Sequence, residues 1–230
     1  MRDKKQETGG KGEPKAVFNK SQKYSVEDAI KIARSLARAK FDESVELHAN
    51  LGIDPKQGDQ QVRGTLVLPH GTGKTVRVAA FVAGTAEKDA KAAAADIVGG
   101  EELINDIKAS GKIDFDVAVA APDMMPKLAI LAKILGPRGL MPSPKNETIT
   151  TKVKETVEQL KKGKIVFKND DTANLHVSVG KISFEDAKLI ENINAFIAAL
   201  KKSKPAASKG IFIKNLVLKT TMGRGIKLEI

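Results

Sequence analysis

Apolar side chains recur at helical spacing between residues 25 and 40. Val26, Ala29, Ile30, Ala33, Leu36 and Ala37 fall on one stripe, and Ser25 with Asp28 three positions later has the form of a capping box. The pattern predicts a helix over 25–40. From Ser44 the period drops to two: Val45, Leu47, Ala49 and Leu51 alternate with Ser44, Glu46, His48 and Asn50. This predicts a strand with one dry and one wet face. A turn at Asp54-Pro55 and Gly58-Asp59 leads to a second strand over 62–68.

Past Pro69-His70-Gly71-Thr72-Gly73 the alternation disappears. TVRVAAFVAG and DFDVAVAAP are nearly continuous runs of small apolar residues, as parallel strands covered on both faces require. Helical spacing over 86–95, 101–109 and 125–135 turns this stretch into βαβ units. A further helix over 151–162 meets Gly163, placed where a helix-ending glycine belongs. Then the first character returns. IVFK and NLHVSV read as short strands joined by a turn at Asn169-Asp170-Asp171. Ser183 is placed to cap a helix reaching Lys202 along Phe184, Ala187, Ile190, Ile193, Phe196, Ile197 and Leu200. GIFIKNLVLKTT, a loop over 222–225 and IKLEI complete the chain. The simplest account is an α/β protein of two domains. One is a split α+β domain built from both chain ends, 1–70 plus 163–230, and the other an α/β domain inserted between them, 71–162. The chain would cross between them twice, with Gly71, Gly73 and Gly163 as a hinge. Two sequential domains are the simpler alternative that pattern leaves open.

Composition narrows the function. Cysteine is absent, which excludes disulfides, zinc fingers, Fe–S clusters and thiol chemistry together. No apolar run approaches the ~20 residues that span a bilayer. MRDKKQETGGKGEPK lacks the apolar centre of a secretory signal, so residues 1–23 are expected to be a disordered basic tail and the cytoplasm the default compartment. The formal net charge is +11. It is concentrated at the chain ends: 163–230 holds 12 basic against 6 acidic residues and 1–24 holds 7 against 3, whereas 71–162 holds 14 against 12. Such an excess suits a polyanionic partner, because each neutralised phosphate releases counterions, although it equally suits a merely soluble surface. Aromatic residues make up 4% of the chain, too few to stack on a run of unpaired bases. If the partner is RNA, folded RNA held through backbone and shape fits better.

The motifs exclude more than they assign. Gly71-Thr72-Gly73-Lys74-Thr75 ends like a phosphate-binding loop, but the glycine required five positions before Gly73 is Leu68. A dinucleotide fingerprint would need its third glycine at Val76. The stretch 136–145 is dense in turn formers and reads as a surface loop. His48, His70 and His176 are far apart in sequence, show no metal-ligand spacing and read as solvated strand or loop histidines. No serine, aspartate or glutamate has a recognisable catalytic neighbourhood, so no catalytic residue, metal or cofactor is expected. Two classes stay open on residues alone: a nucleotide hydrolase using GTGKT, and a small-molecule enzyme on the central α/β pattern. Lys40-Phe41-Asp42-Glu43-Ser44 and Thr220-Thr221-Met222-Gly223 look more like a binding surface. By residue type, however, Phe41 reads as core and the second stretch as a turn.

AKFDESVELHANLGIDP, RGTLVLPHGTGKTVRVA, LGPRGLMPSPK, FKNDDTANLHVSVGK and TTMGRG stand in the order found in the ribosomal protein L-one family, which the chain resembles from Tyr24 to Ile230. The resemblance implies a non-enzymatic constituent of the large ribosomal subunit with a split terminal domain and an inserted Rossmann-like domain. It implies binding to large-subunit ribosomal RNA to form the mobile stalk near the tRNA exit site, and help in releasing deacylated exit-site tRNA. It also implies repression of the protein's own operon mRNA, a monomer outside the ribosome, and no membrane or DNA partner. Matched motif by motif, the implied RNA surface is Lys40, Phe41, Ser44, Glu46, Thr220, Thr221, Met222 and Gly223, with Lys168, His176 and Lys181 in adjacent matching strands. Ser44 stands where threonine is common, Ser143 replaces the usual asparagine, Asn146-Glu147 departs from the usual glycine, and Arg224 replaces proline or a small residue.

Overall fold

The computed structural model describes residue 19, residues 21–208 and residues 210–229. Most of the expected tail, 1–18 and 20, lies outside the described residues. The chain opens with β1 (Lys23–Tyr24) and α1 (Val26–Leu36). Ser25 caps α1: its Oγ accepts the Asp28 N–H at 3.2 Å and donates to Asp28 Oδ2 at 2.8 Å. The helix stops at Leu36, short of 40, because the following segment turns away and carries the Ala39 amide to the Glu43 carboxylate. β2 (Ser44–Leu51) buries Val45, Leu47, Ala49 and Leu51, the apolar set its alternation predicts, and β3 (Arg63–Val67) follows.

The middle of the chain forms β4 (Val78–Phe81), α2 (Thr85–Ala92), β5 (Ile97–Gly99), α3 (Glu101–Ser110) and β6 (Val117–Ala120). It continues through α4 (Met125–Leu128), α5 (Ala132–Leu135) and α6 (Val153–Lys161). β4 pairs in parallel with both β5 and β6. Both of its faces are covered. Val78 and Ala80 pack with residues of α2 and α6, and Ala79 and Phe81 with α3 and the 124–135 region. Three-residue β5 is too short to show a period and was not anticipated. The single helix expected over 125–135 is broken by a 3-10 turn, Ala129–Leu131, although Met124, Leu128, Leu131 and Leu135 keep a helical stripe against the sheet.

The chain then makes β7 (Lys164–Lys168), β8 (Asn174–Lys181), α7 (Asp186–Lys202), β9 (Ile213–Thr220) and β10 (Ile226–Leu228). Five strands form one sheet in the order β1-β10-β9-β2-β8, with β2 antiparallel to both neighbours. Three features here are not given by local pattern. Lys23 is no part of a tail, because it pairs with Lys227. β7 pairs with β3 and not with β8, to which a single bridge, Asn169 to Leu175, connects it. Ser183 does not cap α7, whose first residue is Asp186; the Ser183 amide and hydroxyl donate to Asp42 instead. α1 and α7 cover one face of the sheet. α7 buries Leu189, Ile193, Phe196 and Leu200 there, each contributing about 1.5–3 kcal/mol.

The largest apolar cluster draws on Ala29 to Val62 and Phe167 to Leu228, and the other two on Val78 to Leu160. Where the chain passes between these groups its two connections touch backbone to backbone. Gly71 (φ +66°) and Gly163 (φ +95°) are so close that a Cβ on Gly163 would lie 2.5 Å from the Gly71 Cα. Asn192, 0% exposed, accepts the His70 N–H at 3.1 Å and donates to the Gly71 and Val179 carbonyls at 2.9 and 2.8 Å. Nearby, Glu147 adopts a left-handed backbone (φ 56°) and pairs with Lys164, whose side chain is 5% exposed. Among the described residues no helix is long and apolar enough to cross a membrane.

Candidate nucleic-acid interface

The start of β2 and the end of β9 meet at one end of the sheet, where Val45 pairs with Thr220. Beyond this pair the two chains stay joined. The Thr221 N–H donates to the Ser44 carbonyl at 3.1 Å, and the Ser44 N–H donates to Thr221 Oγ1 at 3.0 Å. The Gly223 N–H then closes a turn on the Thr220 carbonyl at 3.0 Å. That turn needs glycine, because a Cβ at 223 would stand 2.2 Å from Thr220 Oγ1.

Two adjacent carboxylates hold the 40–44 segment from opposite sides. Asp42 accepts the Ser183 N–H (3.2 Å) and hydroxyl (2.9 Å), and its carbonyl accepts Lys181 Nζ at 3.0 Å. Glu43 turns inward, 1% exposed, and accepts the Met222 N–H at 2.9 Å and the Ala39 N–H at 3.4 Å. The Met222 amide is the largest influence holding the Glu43 pKa below the usual carboxylate range, and it outweighs the opposing effect of burial. Thr220 Oγ1 has no partner at ordinary hydrogen-bond distance, yet lies near enough to the carboxylate to add to the lowering.

Phe41 is 55% exposed and Met222 73% exposed. Phe41 is therefore not core, contrary to what its residue type predicts. With Asp42 and Glu43 pulled to either side, no apolar surface closes over its ring. The arrangement thus displays an aromatic ring and a thioether from two segments joined through Glu43, with exposed Lys40 beside them. The Ser44, Thr221, Met222 and Gly223 amides are engaged within the protein, so polar contacts to a partner fall to hydroxyls and to the free lone pairs of carbonyls, and the apolar groups can pack on a flat partner.

Of the remaining expected residues, Glu46, His176 and Lys181 lie on the five-stranded sheet and Lys168 on the two-stranded sheet of β3 and β7. Glu46 lies opposite Ser178 and Lys219, and His48 opposite His176 and Val217. The two histidines are not separate, as their sequence positions suggest: their Nδ1 atoms are 2.6 Å apart, and the rings meet edge to face at 4.9 Å between centroids. Burial first, then His176, pushes the His48 pKa below its ordinary value. Cross-strand pairing brings them together, which no sequence spacing reveals. Lys181 joins the cluster through Asp42. Lys168 does not. It pairs with Arg63 beside the start of β8, whereas Lys181 ends that strand, roughly 20 Å of chain away. Asp42 and Glu43 lie inside the 40–44 stretch that reads as a binding surface, and Ser183 reads as a helix cap, but nothing in their local sequence marks the long-range bonds they make.

Gly71-Thr72-Gly73-Lys74-Thr75 leads into β4, a strand, whereas a phosphate-cradling loop opens a helix. Among the described residues no group of three or more histidines, aspartates or glutamates could hold a metal ion.

Comparison with known proteins gives a consistent result. Residues 33–224 match the model of the "Ribosomal protein L1p/L10e family". The chain is 51% identical over 217 residues to "Large ribosomal subunit protein uL1" of Kosmotoga olearia, covering 94% of each chain. It is 49% identical over 217 residues to the protein of the same name from Persephonella marina, covering 93% of this chain and 90% of that one.

Proposed function

The chain belongs to the ribosomal protein L1p/L10e family, and from that premise we propose that it is a structural, non-enzymatic constituent of the large ribosomal subunit in the cytoplasm that binds ribosomal RNA through the joined 40–44 and 220–223 segments. The observation that carries the choice of surface is the exposure of Phe41 and of Met222 on two segments that hydrogen bonds through Glu43 and Thr221 hold together. Lys40, Ser44, Glu46, Thr220, Thr221 and Gly223 complete the contact, and His176 and Lys181 extend it along the sheet. Hydroxyls and carbonyls in this setting can bond ribose 2′-hydroxyls and so distinguish RNA from DNA. The lysines add affinity that falls with salt.

The finer role follows from the same reading. The RNA element is the mobile stalk beside the tRNA exit site, where the protein assists release of deacylated tRNA. A messenger segment of its own operon that mimics the ribosomal site would be bound by the same residues and repressed. Residues 1–70 with 163–230 act as the RNA-binding domain and 71–162 as an inserted Rossmann-like domain. Gly71, Gly73 and Gly163 let the two change angle. Separate apolar clusters and the glycine contact at the crossing support this division.

The test is photocrosslinking in intact ribosomes from a reactive residue placed at Met222. Adducts in the stalk segment of large-subunit RNA are expected. Adducts confined to ribosomal protein, or to another RNA region, would remove the reading.

A further inference from the structure

We propose that Glu43 is the positioning residue of this RNA site: its buried carboxylate fixes the 220–223 turn against the 40–44 segment, so that Phe41 and Met222 are presented together. The inference rests on reading that surface as the RNA site. A glutamate is seldom buried without a cationic partner. Glu43 is 1% exposed, and among the described residues no ion pair to it is seen; its partners at ordinary hydrogen-bond distance are main-chain amides, with the Thr220 hydroxyl close by. Those amides come from both sides of the site, Ala39 ahead of Phe41 and Met222 across the gap. Such a carboxylate neutralises no opposite charge. What it fixes is the relative position of two backbones.

The chemistry of the bonds makes the role specific. Each carboxylate oxygen accepts one N–H, and neither bond can be made by a donor. A glutamine of nearly the same shape has one accepting oxygen and one NH2 group. At one of the two amides it would set N–H against N–H. Either Met222 or Ala39 is released, and the displayed pair loses its fixed spacing. Asp42 cannot substitute, because it is committed to Ser183.

The experiment compares Glu43→Gln and Glu43→Asp with Phe41→Ala and Met222→Ala in the full chain. It reads affinity for a stalk-RNA fragment, thermal unfolding, and hydrogen exchange at the Met222 and Ala39 amides. Loss of one charge-assisted bond at the site is expected to raise the Kd of Glu43→Gln about tenfold, with faster exchange at whichever of the Met222 and Ala39 amides loses its acceptor and a cooperative unfolding transition retained. Glu43→Asp, which keeps the charge on a shorter arm, is expected to recover part of the affinity. A folded Glu43→Gln protein that binds within twofold of wild type overturns the proposal. Should Glu43→Gln fail to fold, Glu43→Asp decides: wild-type affinity despite rapid Met222 exchange overturns it, and weakened affinity supports it. If Phe41→Ala and Met222→Ala both bind normally, the surface is not the RNA site and the inference falls with it. If those two weaken binding and Glu43→Gln does not, the role of Glu43 alone is wrong.

Discussion

Glu43 accepts the amide proton of Met222 at 2.9 Å across 179 positions of sequence. This one bond joins two distant stretches of the chain, one carrying an exposed phenylalanine and the other an exposed methionine. Around it, Ser44 and Thr221 exchange further hydrogen bonds, so the surface has a fixed shape before any partner arrives. Preorganisation of this kind lowers the ordering cost of binding.

Asn192 anchors the connection at His70 and Gly71 to α7 and β8. Replacing it with alanine strands the His70 amide and the Gly71 and Val179 carbonyls inside the protein. The expected loss is about 2–4 kcal/mol, given about 1–3 kcal/mol for each buried group left unsatisfied and some relief by water. Urea denaturation of Asn192→Ala measures it. A change under about 0.5 kcal/mol would show that these bonds carry no net stability.

Gly163 tests the contact directly. A methyl there meets the Gly71 Cα at 2.5 Å and must also accept φ +95°. Gly163→Ala is therefore expected to destabilise the protein by about 1–3 kcal/mol, or to push the connections apart and enlarge the particle seen by small-angle scattering. Unchanged stability together with an unchanged scattering profile would contradict the geometry.

Much of this architecture is legible in the sequence, and the rest is hidden for physical reasons. Alternation in β2 and the small apolar runs of β4 and β6 fix which faces are buried, so strand type and cover follow from local pattern. Gly163 ends α6 as its position predicts. Pairing is not local. Neither the partnership of β3 with β7 nor the meeting of His48 with His176 leaves a trace in spacing. Ser183 has the right residue type for a cap but gives its donors to Asp42, a competition that only the folded chain resolves. Phe41 shows the limit most clearly: residue type predicts burial, and its neighbours' long-range bonds leave it exposed.

Acid sensitivity is expected at the turn before β8. Asp170 Oδ1 accepts the Asn174 N–H at 2.7 Å and the Thr172 N–H at 2.9 Å. The Asn174 amide above all lowers its pKa from 3.8 to about 2. A depressed folded pKa means that the unfolded chain takes up the proton first. The stabilisation is thus complete above about pH 4 and is lost as pH falls towards 2. Asp170→Ala should lower the unfolding temperature at pH 7, and the gap to wild type should narrow over that window. A gap that stays constant from pH 7 to pH 2 would show that the carboxylate is not responsible.

The most direct test of the account is the affinity of the double variant Phe41→Ala/Met222→Ala for the stalk segment of large-subunit RNA, measured beside its thermal unfolding. Both side chains are largely exposed, so the unfolding temperature should barely move, while loss of two packing contacts should weaken binding by about tenfold or more. A fully folded double variant that binds the RNA as tightly as wild type would contradict the claim that the joined chain ends form the RNA site.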